Sequence, residues 1–219
     1  MVILPHRRKA FRGDAAGGVT NISDASYDSK SFLVTVGLNY QTPSSLFFTP
    51  DGLTMFMVDN GDNIVTYALS VAWDVSTAVY SSVKDLSDDS GGSENRTGMF
   101  FNPIGTLAYF ASYGGKDIQR YTMSTGWNLS TIMPDGSAAE LATAISGLTD
   151  VAFTSDGLKV FYTSDSLDKI YQHTLSSAWD LTTAGAFTEY AFSGSTEPNA
   201  FVFNADGRNC MFWVKQLKT

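Results

Sequence analysis

The feature that most constrains the fold of this chain is a phrase of the form Phe-x-x-x-Gly that occurs four times. Its copies end at Gly52, Gly105, Gly157 and Gly207, so they are spaced 53, 52 and 50 residues apart. Self-similarity at such a period is typical of propellers, solenoids and other arrays of like units. The repeat therefore indicates the architecture before any single residue is considered.

Each repeat predicts four strands. In the first repeat, apolar runs at residues 46–48 and 55–58 flank a Pro-Asp-Gly turn signal at residues 50–52, which predicts a hairpin. Residues 64–69 alternate as a half-buried strand does, and residues 79–83 form a weaker, more polar strand suited to an outer edge. Four strands per repeat make the blade of a β-propeller, an all-β fold.

The two ends of the chain complete one another. The fourth repeat stops at Thr219 after two predicted strands, whereas residues 19–36 align with the third and fourth strands of a repeat. The sequence therefore predicts a four-bladed propeller whose last blade combines N- and C-terminal strands, which removes exposed sheet edges. The alternative is an eight-bladed ring formed by two chains that exchange their terminal halves. The sequence leaves both closures open.

Three tryptophans hold one structural position in successive repeats: Trp73, Trp127 and Trp179. Such a row could stack on sugars or could pack once in every blade. The repetition favours packing, because large aromatic side chains supply much of the energy of a core.

Charge divides the chain into two parts. Residues 1–18 form a basic, glycine-rich arm, with Arg7, Arg8, Lys9 and Arg12 among them, and residues 19–219 form the propeller domain. The net charge of the whole chain is −8, so the propeller itself is strongly acidic. An acidic body argues against a nucleic-acid partner, and no stretch is apolar for long enough to span a membrane.

Groups for nucleophilic catalysis are scarce. The chain has two histidines, His6 and His173, and one cysteine, Cys210. His173 occupies the position of a tyrosine in the sister repeats, which indicates a strand residue rather than a catalytic base. A nucleophile needs a base and an orienting third group nearby, and the sequence offers no such set.

Carboxylates are the better candidates for a site. Five of them fall in or beside the predicted turn between the second and third strands of successive repeats: Asp59, Asp62, Asp117, Asp165 and Asp168. They could hold Ca²⁺, which prefers several oxygen ligands from loops. Asp is also common in turns because its side chain bonds to nearby backbone groups. No complete calcium motif is present, so the turn interpretation is favoured.

The repeat carries a family resemblance. The phrase Phe-Thr-Pro-Asp-Gly followed by Tyr-Ala-Leu-Ser-Val-Ala-Trp-Asp-Val-Ser-Thr-Ala, within residues 48–78, resembles propeller repeats of tailed-bacteriophage structural proteins, marine ones in particular. Residues 4–12 also look like the starts of small virion proteins. The repeat is distantly similar to lactonase-like and NHL-type propellers as well, in which loops around the channel hold a metal or ligand.

The phage resemblance implies a non-enzymatic protein located in the virion, as a capsid decoration or a head or tail appendage. We expect no resident cofactor, many copies on a symmetric assembly, and partners among other virion proteins. The propeller would contact a neighbouring subunit or a host-surface glycan. The residues expected to anchor the arm are Arg7, Arg8, Lys9, Phe11 and Arg12.

Two further functions stay open. One is a free carbohydrate- or ligand-binding propeller, with or without Ca²⁺. The other is a lactonase- or glycosidase-like enzyme, since fold likeness alone does not fix chemistry.

Overall fold

A computed structural model describes residues 29–32, 34, 42–59, 61–87, 94–135, 145–192, 197–203 and 210–214. Within these ranges the chain forms fourteen β-strands and three short 3₁₀-helices, with no α-helix. None of the described helices is long and apolar enough to cross a membrane.

The strands form three four-stranded antiparallel sheets and one two-stranded sheet. The first blade contains β1 (Pro43–Phe48), β2 (Thr54–Asp59), β3 (Asn63–Leu69) and β4 (Ala78–Asp85). The second contains β5 (Arg96–Phe101), β6 (Leu107–Ser112), β7 (Ile118–Met123) and β8 (Ile132–Pro134). The third contains β9 (Leu148–Phe153), β10 (Lys159–Ser164), β11 (Lys169–Leu175) and β12 (Ala184–Ala191). The fourth sheet pairs β13 (Pro198–Phe203) with β14 (Cys210–Val214).

In each of the three complete blades, the repeated phrase forms the turn between the first two strands. Its glycines adopt left-handed backbone conformations, with φ of 70° at Gly52, 69° at Gly105 and 72° at Gly157. A tryptophan from the loop after the third strand covers each glycine, and Trp127 donates its backbone N–H to Gly105 O at 3.0 Å. Glycine is required here, because a Cβ atom would overlap the indole ring.

The apolar core lies between neighbouring blades. Phe56, Val58 and Ile64 of the first blade share one buried cluster with Phe101 and Phe110 of the second. A second cluster joins the second and third blades in the same way, around Tyr109, Val151 and Tyr162. Each blade is therefore stabilised by burying one sheet face against the next.

The first strands of the blades stand side by side in the order β1, β5, β9 and β13. A hydroxyl near the start of each strand donates to a carbonyl at the start of the next one. Ser44 Oγ donates to Arg96 O at 2.9 Å, Thr97 Oγ1 to Leu148 O at 2.7 Å, and Thr149 Oγ1 to Pro198 O at 2.6 Å. This row forms the inner edge of the array.

The all-β propeller predicted from the repeat is confirmed. The three complete blades contain the four strands expected for each repeat, and β13 and β14 are the two strands expected before Thr219. Most of the N-terminal segment predicted to complete the fourth blade, residues 19–36, lies outside the described residues.

Candidate functional site

The richest group of polar side chains lies where the first two blades meet. The strand β5 begins there, directly after Glu94 and Asn95. Backbone hydrogen bonds from Tyr113 N to Asn95 O and from Gly114 N to Glu94 O join this segment to the β6–β7 turn. These two bonds hold residues 94 and 95 against the β6–β7 turn of the second blade.

A buried ion pair fixes the start of β5. Asp62 and Arg96 are both fully buried, and Arg96 Nη1 lies 3.2 Å from Asp62 Oδ1. The Asp62 carboxylate also accepts the backbone N–H groups of Glu94 at 2.8 Å and Arg96 at 2.9 Å. Removal of either partner would leave a buried charge without its counterion, which is strongly unfavourable. The pair therefore holds the backbone on which Glu94 stands.

The other end of the Arg96 guanidinium reaches β7. Its Nη2 donates to Gln119 Oε1 at 2.7 Å and to the Tyr121 hydroxyl at 2.6 Å. Its Nε has no hydrogen-bond partner within the described part of the chain. Arg96 thus links the Glu94 segment to the strand that begins directly after Asp117.

Glu94, Ser112 and Asp117 direct side-chain oxygens at one small gap above Gly115. A Cβ atom added at Gly115 would overlap Glu94 Oε2 and would lie 2.6 Å from Ser112 Oγ and 2.9 Å from Asp117 Oδ1. Ser112 Oγ donates to Glu94 O at 2.8 Å, lies 3.1 Å from Glu94 Oε2, and accepts the Gly115 N–H at 2.7 Å. The gap exists because residue 115 lacks a side chain.

The turn beside the gap is exposed, but Asp117 Oδ1 and Ser112 within it are buried. Residues 113–116, which form the β6–β7 turn, are all exposed, whereas Glu94 and Asp117 are half-buried. Two carboxylates close to an exposed turn can accept a proton from water or return one to a leaving group.

The third blade has the same backbone arrangement with different side chains. Ser164 Oγ donates to Ser146 O at 2.7 Å, and Leu167 N donates to Ser164 Oγ at 3.2 Å, as Gly115 N does to Ser112. Here Ser146 stands in place of Glu94, and Leu167 in place of Gly115. Lys169 stands in place of Asp117. The pair of carboxylates and the open gap are therefore particular to the second blade among the complete blades compared.

The carboxylates predicted as metal ligands lie in or beside the expected turns but do not converge. Asp59 accepts the backbone N–H groups of Gly61 and Asn63, both at 2.9 Å, so it stabilises its own turn. Asp165 accepts from Ser166 Oγ at 3.0 Å, and Asp168 O accepts the Phe192 N–H at 2.9 Å. In the described ranges, no three His, Cys, Asp or Glu side chains are grouped so as to hold a metal ion. The calcium site stays a prediction.

His173 is part of the core of the third blade. It is buried, and its Nδ1 lies 2.8 Å from Gly185 O, which can only accept a hydrogen bond. Nδ1 therefore carries the proton, and Nε2 accepts from the Tyr162 hydroxyl at 3.0 Å. This arrangement agrees with the expectation of a structural strand residue.

The tryptophan row has the contacts expected of packing residues. Trp127 lies over Gly105 and stacks on Phe47 of the preceding blade, with ring centroids 6.1 Å apart. Trp179 stacks on Phe100 in the corresponding way, at 6.3 Å. Trp127 and Trp179 therefore each join two blades, whereas Trp73 packs on Phe48 of its own blade.

Sequence reasoning identified Asp117 but not its partner. Glu94 was not singled out, and the signal that could have found it is the comparison of this turn between the second and third repeats. The predicted anchoring residues Arg7, Arg8, Lys9, Phe11 and Arg12 lie outside the described residues.

No family model and no curated protein matches this chain. Similar solved structures include a proposed 6-phosphogluconolactonase of Bacteroides uniformis, with a TM-score of 0.56 at 15% identity over 78% of this chain and 47% of that one. A periplasmic gluconolactonase of Pseudomonas aeruginosa gives a TM-score of 0.51 at 15% identity over 78% and 47%. A functionally unknown protein of Desulfotomaculum acetoxidans gives 0.56 at 12% identity over 83% and 54%.

These comparisons correct the expectation of a non-enzymatic virion protein. The similar structures are bacterial proteins that include lactonases, and nothing among the findings supports a bacteriophage link or a virion location. The phage resemblance was misleading because propeller repeats recur in proteins of unrelated function. The similarity to lactonase-like propellers is confirmed at the level of the fold, and the chain spans about half the length of the structures it matches.

Proposed function

We propose that this chain is a lactonase-type hydrolase whose active site is the gap formed by Glu94, Ser112 and Asp117. The observation that carries the proposal is the convergence of two carboxylates beside Gly115, at a point where a side chain on residue 115 would displace them. The fold supports it, because propellers of this kind include a protein named as a gluconolactonase.

The chemistry requires one base and one acid. One carboxylate of the pair takes a proton from water as the water oxygen forms a bond to the lactone carbonyl carbon. The bond between that carbon and the ring oxygen then breaks. The ring oxygen receives a proton from the second carboxyl group of the pair, which is the acid. The product is a hydroxy acid. Proton transfer by a positioned side chain contributes about 10²- to 10⁴-fold to such a rate.

The remaining groups position this pair. Asp62 holds the backbone of Glu94, and Ser112 fixes the Glu94 carbonyl and the Gly115 N–H. Arg96 ties the same segment to Gln119 and Tyr121. Because both Asp62 and Arg96 are fully buried, neither is proposed to touch the substrate.

The test is the hydrolysis of glucono-δ-lactone, followed by acid release in a pH-stat. We expect catalysis above the buffer rate, and a fall in kcat/KM of about 100-fold or more in both Glu94→Gln and Asp117→Asn. Matched controls are Glu189→Gln on the outer strand β12 and Asp156→Asn in the turn between β9 and β10. Both variants should retain the activity.

Two results would contradict the proposed active site. Wild-type protein that is no faster than buffer on this and other sugar lactones would contradict the proposal. Equal losses in the site variants and in the controls would show that the carboxylates of the gap have no special part.

A further inference from the structure

The row of inner strands is open at both ends. β1 packs beside β5, β5 beside β9, and β9 beside β13, but β13 and β1 do not pack together in this way. The described part of the chain is thus an array with one free end at β1 and another at β13.

The free end at β1 exposes side chains that are buried at the corresponding position of every other inner strand. The four inner strands have six residues each, so Leu46 aligns with Met99, Val151 and Phe201. Leu46 is 41% exposed, whereas the other three are 3%, 2% and 8% exposed. Met99 is buried in the cluster shared with the preceding blade, and Leu46 lacks that neighbour.

The free end at β13 shows the complementary pattern. Val202 aligns with Phe47 and Phe100, which reach forward to the tryptophan of the following blade. Val202 is 54% exposed. Asn199 aligns with Ser44, Thr97 and Thr149, the residues that bond to the next inner strand, but its Nδ2 donates to Glu197 O within its own segment. The end at β13 lacks a following strand just as β1 lacks a preceding one.

The outer part of the face of the first blade is covered by the chain itself. Phe32 and Val34 pack on the buried cluster of Met55, Met57 and Val65, and the Phe32 and Tyr67 ring centroids are 4.8 Å apart. These N-terminal residues stand where the outer strands of a preceding blade would stand. Among the described residues, no pair of inner strands lies beside Leu46.

We propose that a second copy of this chain supplies those strands, so that β13 and β14 of each copy pack beside β1 of the other. A two-fold axis makes both junctions identical and closes the ring. The contacts support this partner, because the two free ends are complementary and yet do not pack together within the described part of one chain. Each junction repeats the geometry already used between β1, β5, β9 and β13.

The test measures the molar mass of the 219-residue chain by light scattering over a wide range of protein concentration. We expect twice the chain mass of 23.7 kDa for the wild type. Leu46→Asp and Val202→Asp each place a charge in the junction and should reduce the mass to that of one chain. Both residues are exposed in the single chain, so circular dichroism should show a retained β fold.

The matched control is Ile104→Asp, since Ile104 is 66% exposed in the β5–β6 turn away from both ends. This variant should keep the doubled mass. Should Leu46→Asp fail to fold, Leu46→Ser serves in its place. A wild type with the mass of one chain overturns the proposal, and so does a doubled mass that persists in both junction variants. A wild type with the mass of one chain, together with strong destabilisation by Leu46→Asp, would indicate that the ring is closed by its own termini.

Discussion

At the scale of single residues, the nearby aspartates Asp59 and Asp62 are both buried but have different partners. Asp62 faces Arg96 and three backbone N–H groups of the next blade. Asp59 is equally buried but is bound by the amides of its own turn. Burial raises the pKa of Asp59, while the hydrogen bonds from Asn63 and Gly61 act in the opposite direction.

This difference predicts a pH dependence for Asp59→Asn. A carboxyl whose pKa is higher in the folded than in the unfolded state stabilises the fold at acidic pH, and this contribution is lost as the pH rises through the folded-state pKa. The free energy of unfolding of the variant relative to wild type should therefore increase from acidic to neutral pH. The size is about 1.4 kcal/mol for each unit of pKa difference, measured by urea denaturation at a series of pH values.

Asp51→Asn is the control of opposite sign. The hydrogen bonds from the Thr49 hydroxyl and the Leu53 N–H lower the pKa of Asp51. Its carboxylate therefore stabilises the fold above its unfolded pKa, and the variant should lose stability relative to wild type as the pH rises. If the free energy of unfolding relative to wild type changed with pH in the same direction in both variants, the opposite pKa shifts assigned to Asp59 and Asp51 would be contradicted.

The turn glycines give a second prediction at this scale. Gly105→Ala should lower the free energy of unfolding by about 2–4 kcal/mol, because the residue has a φ of 69° and the new methyl group would overlap the Trp127 ring. Gly185→Ala is the matched control, since the nearest atom to its added methyl group is 3.5 Å away. Urea denaturation of both variants measures the difference. Equal effects would show that the tryptophan cover does not constrain the turn.

At the scale of elements, charged side chains join the second blade to the third. Arg120 on β7 binds Asp135 after β8 at 2.7 Å and Asp180 of the third blade at 3.1 Å. Burial alone would lower the pKa of Arg120, but its hydrogen bond to Asp135 and the nearby charges raise it. Arg120 Nη1 also lies 3.3 Å from Trp179 O, so one side chain contacts a loop of each blade.

We therefore expect Arg120→Met to cost about 1.5–3 kcal/mol of unfolding free energy, as for hydrogen bonds to charged groups. The control is Lys169→Met, which breaks the exposed pair of Lys169 with Glu189 within a single blade. A surface pair of this kind contributes little, because solvent screens the two charges. Thermal or urea unfolding compares the two, and a larger loss for Lys169→Met would contradict the inter-blade role.

The sequence predicted elements better than it predicted the candidate site. Strand alternation and turn residues are local signals, so β2 and β3 begin and end within one residue of the apolar runs at 55–58 and 64–69. The strand β1 ends with the run at 46–48 but begins three residues before it. The partnership of Glu94 with Asp117 depends on how the segment before β5 packs against the β6–β7 turn of the same blade and on the absence of a side chain at Gly115. No local pattern in the sequence carries that information.

At the scale of the whole molecule, the proposed active site and the proposed ring closure are separable. The carboxylate gap lies at the junction of the first two blades, whereas Leu46 and Val202 mark the free ends of the array. A junction variant such as Leu46→Asp should therefore yield single chains in which the gap is intact. Mass and lactone hydrolysis can then be measured on the same protein, and failure of one proposal leaves the other open to its own test.

The sequence by itself determined the four-fold repeat, the strands, the turns at its glycines and the shared position of three tryptophans, because each depends on residues close together in one repeat. Tertiary structure decided which carboxylates meet, which aspartate pairs with Arg96, and that Leu46 is exposed where its counterparts are buried. These features depend on the order and packing of blades. A repeat specifies the shape of one unit, but a site arises where two units with different side chains meet.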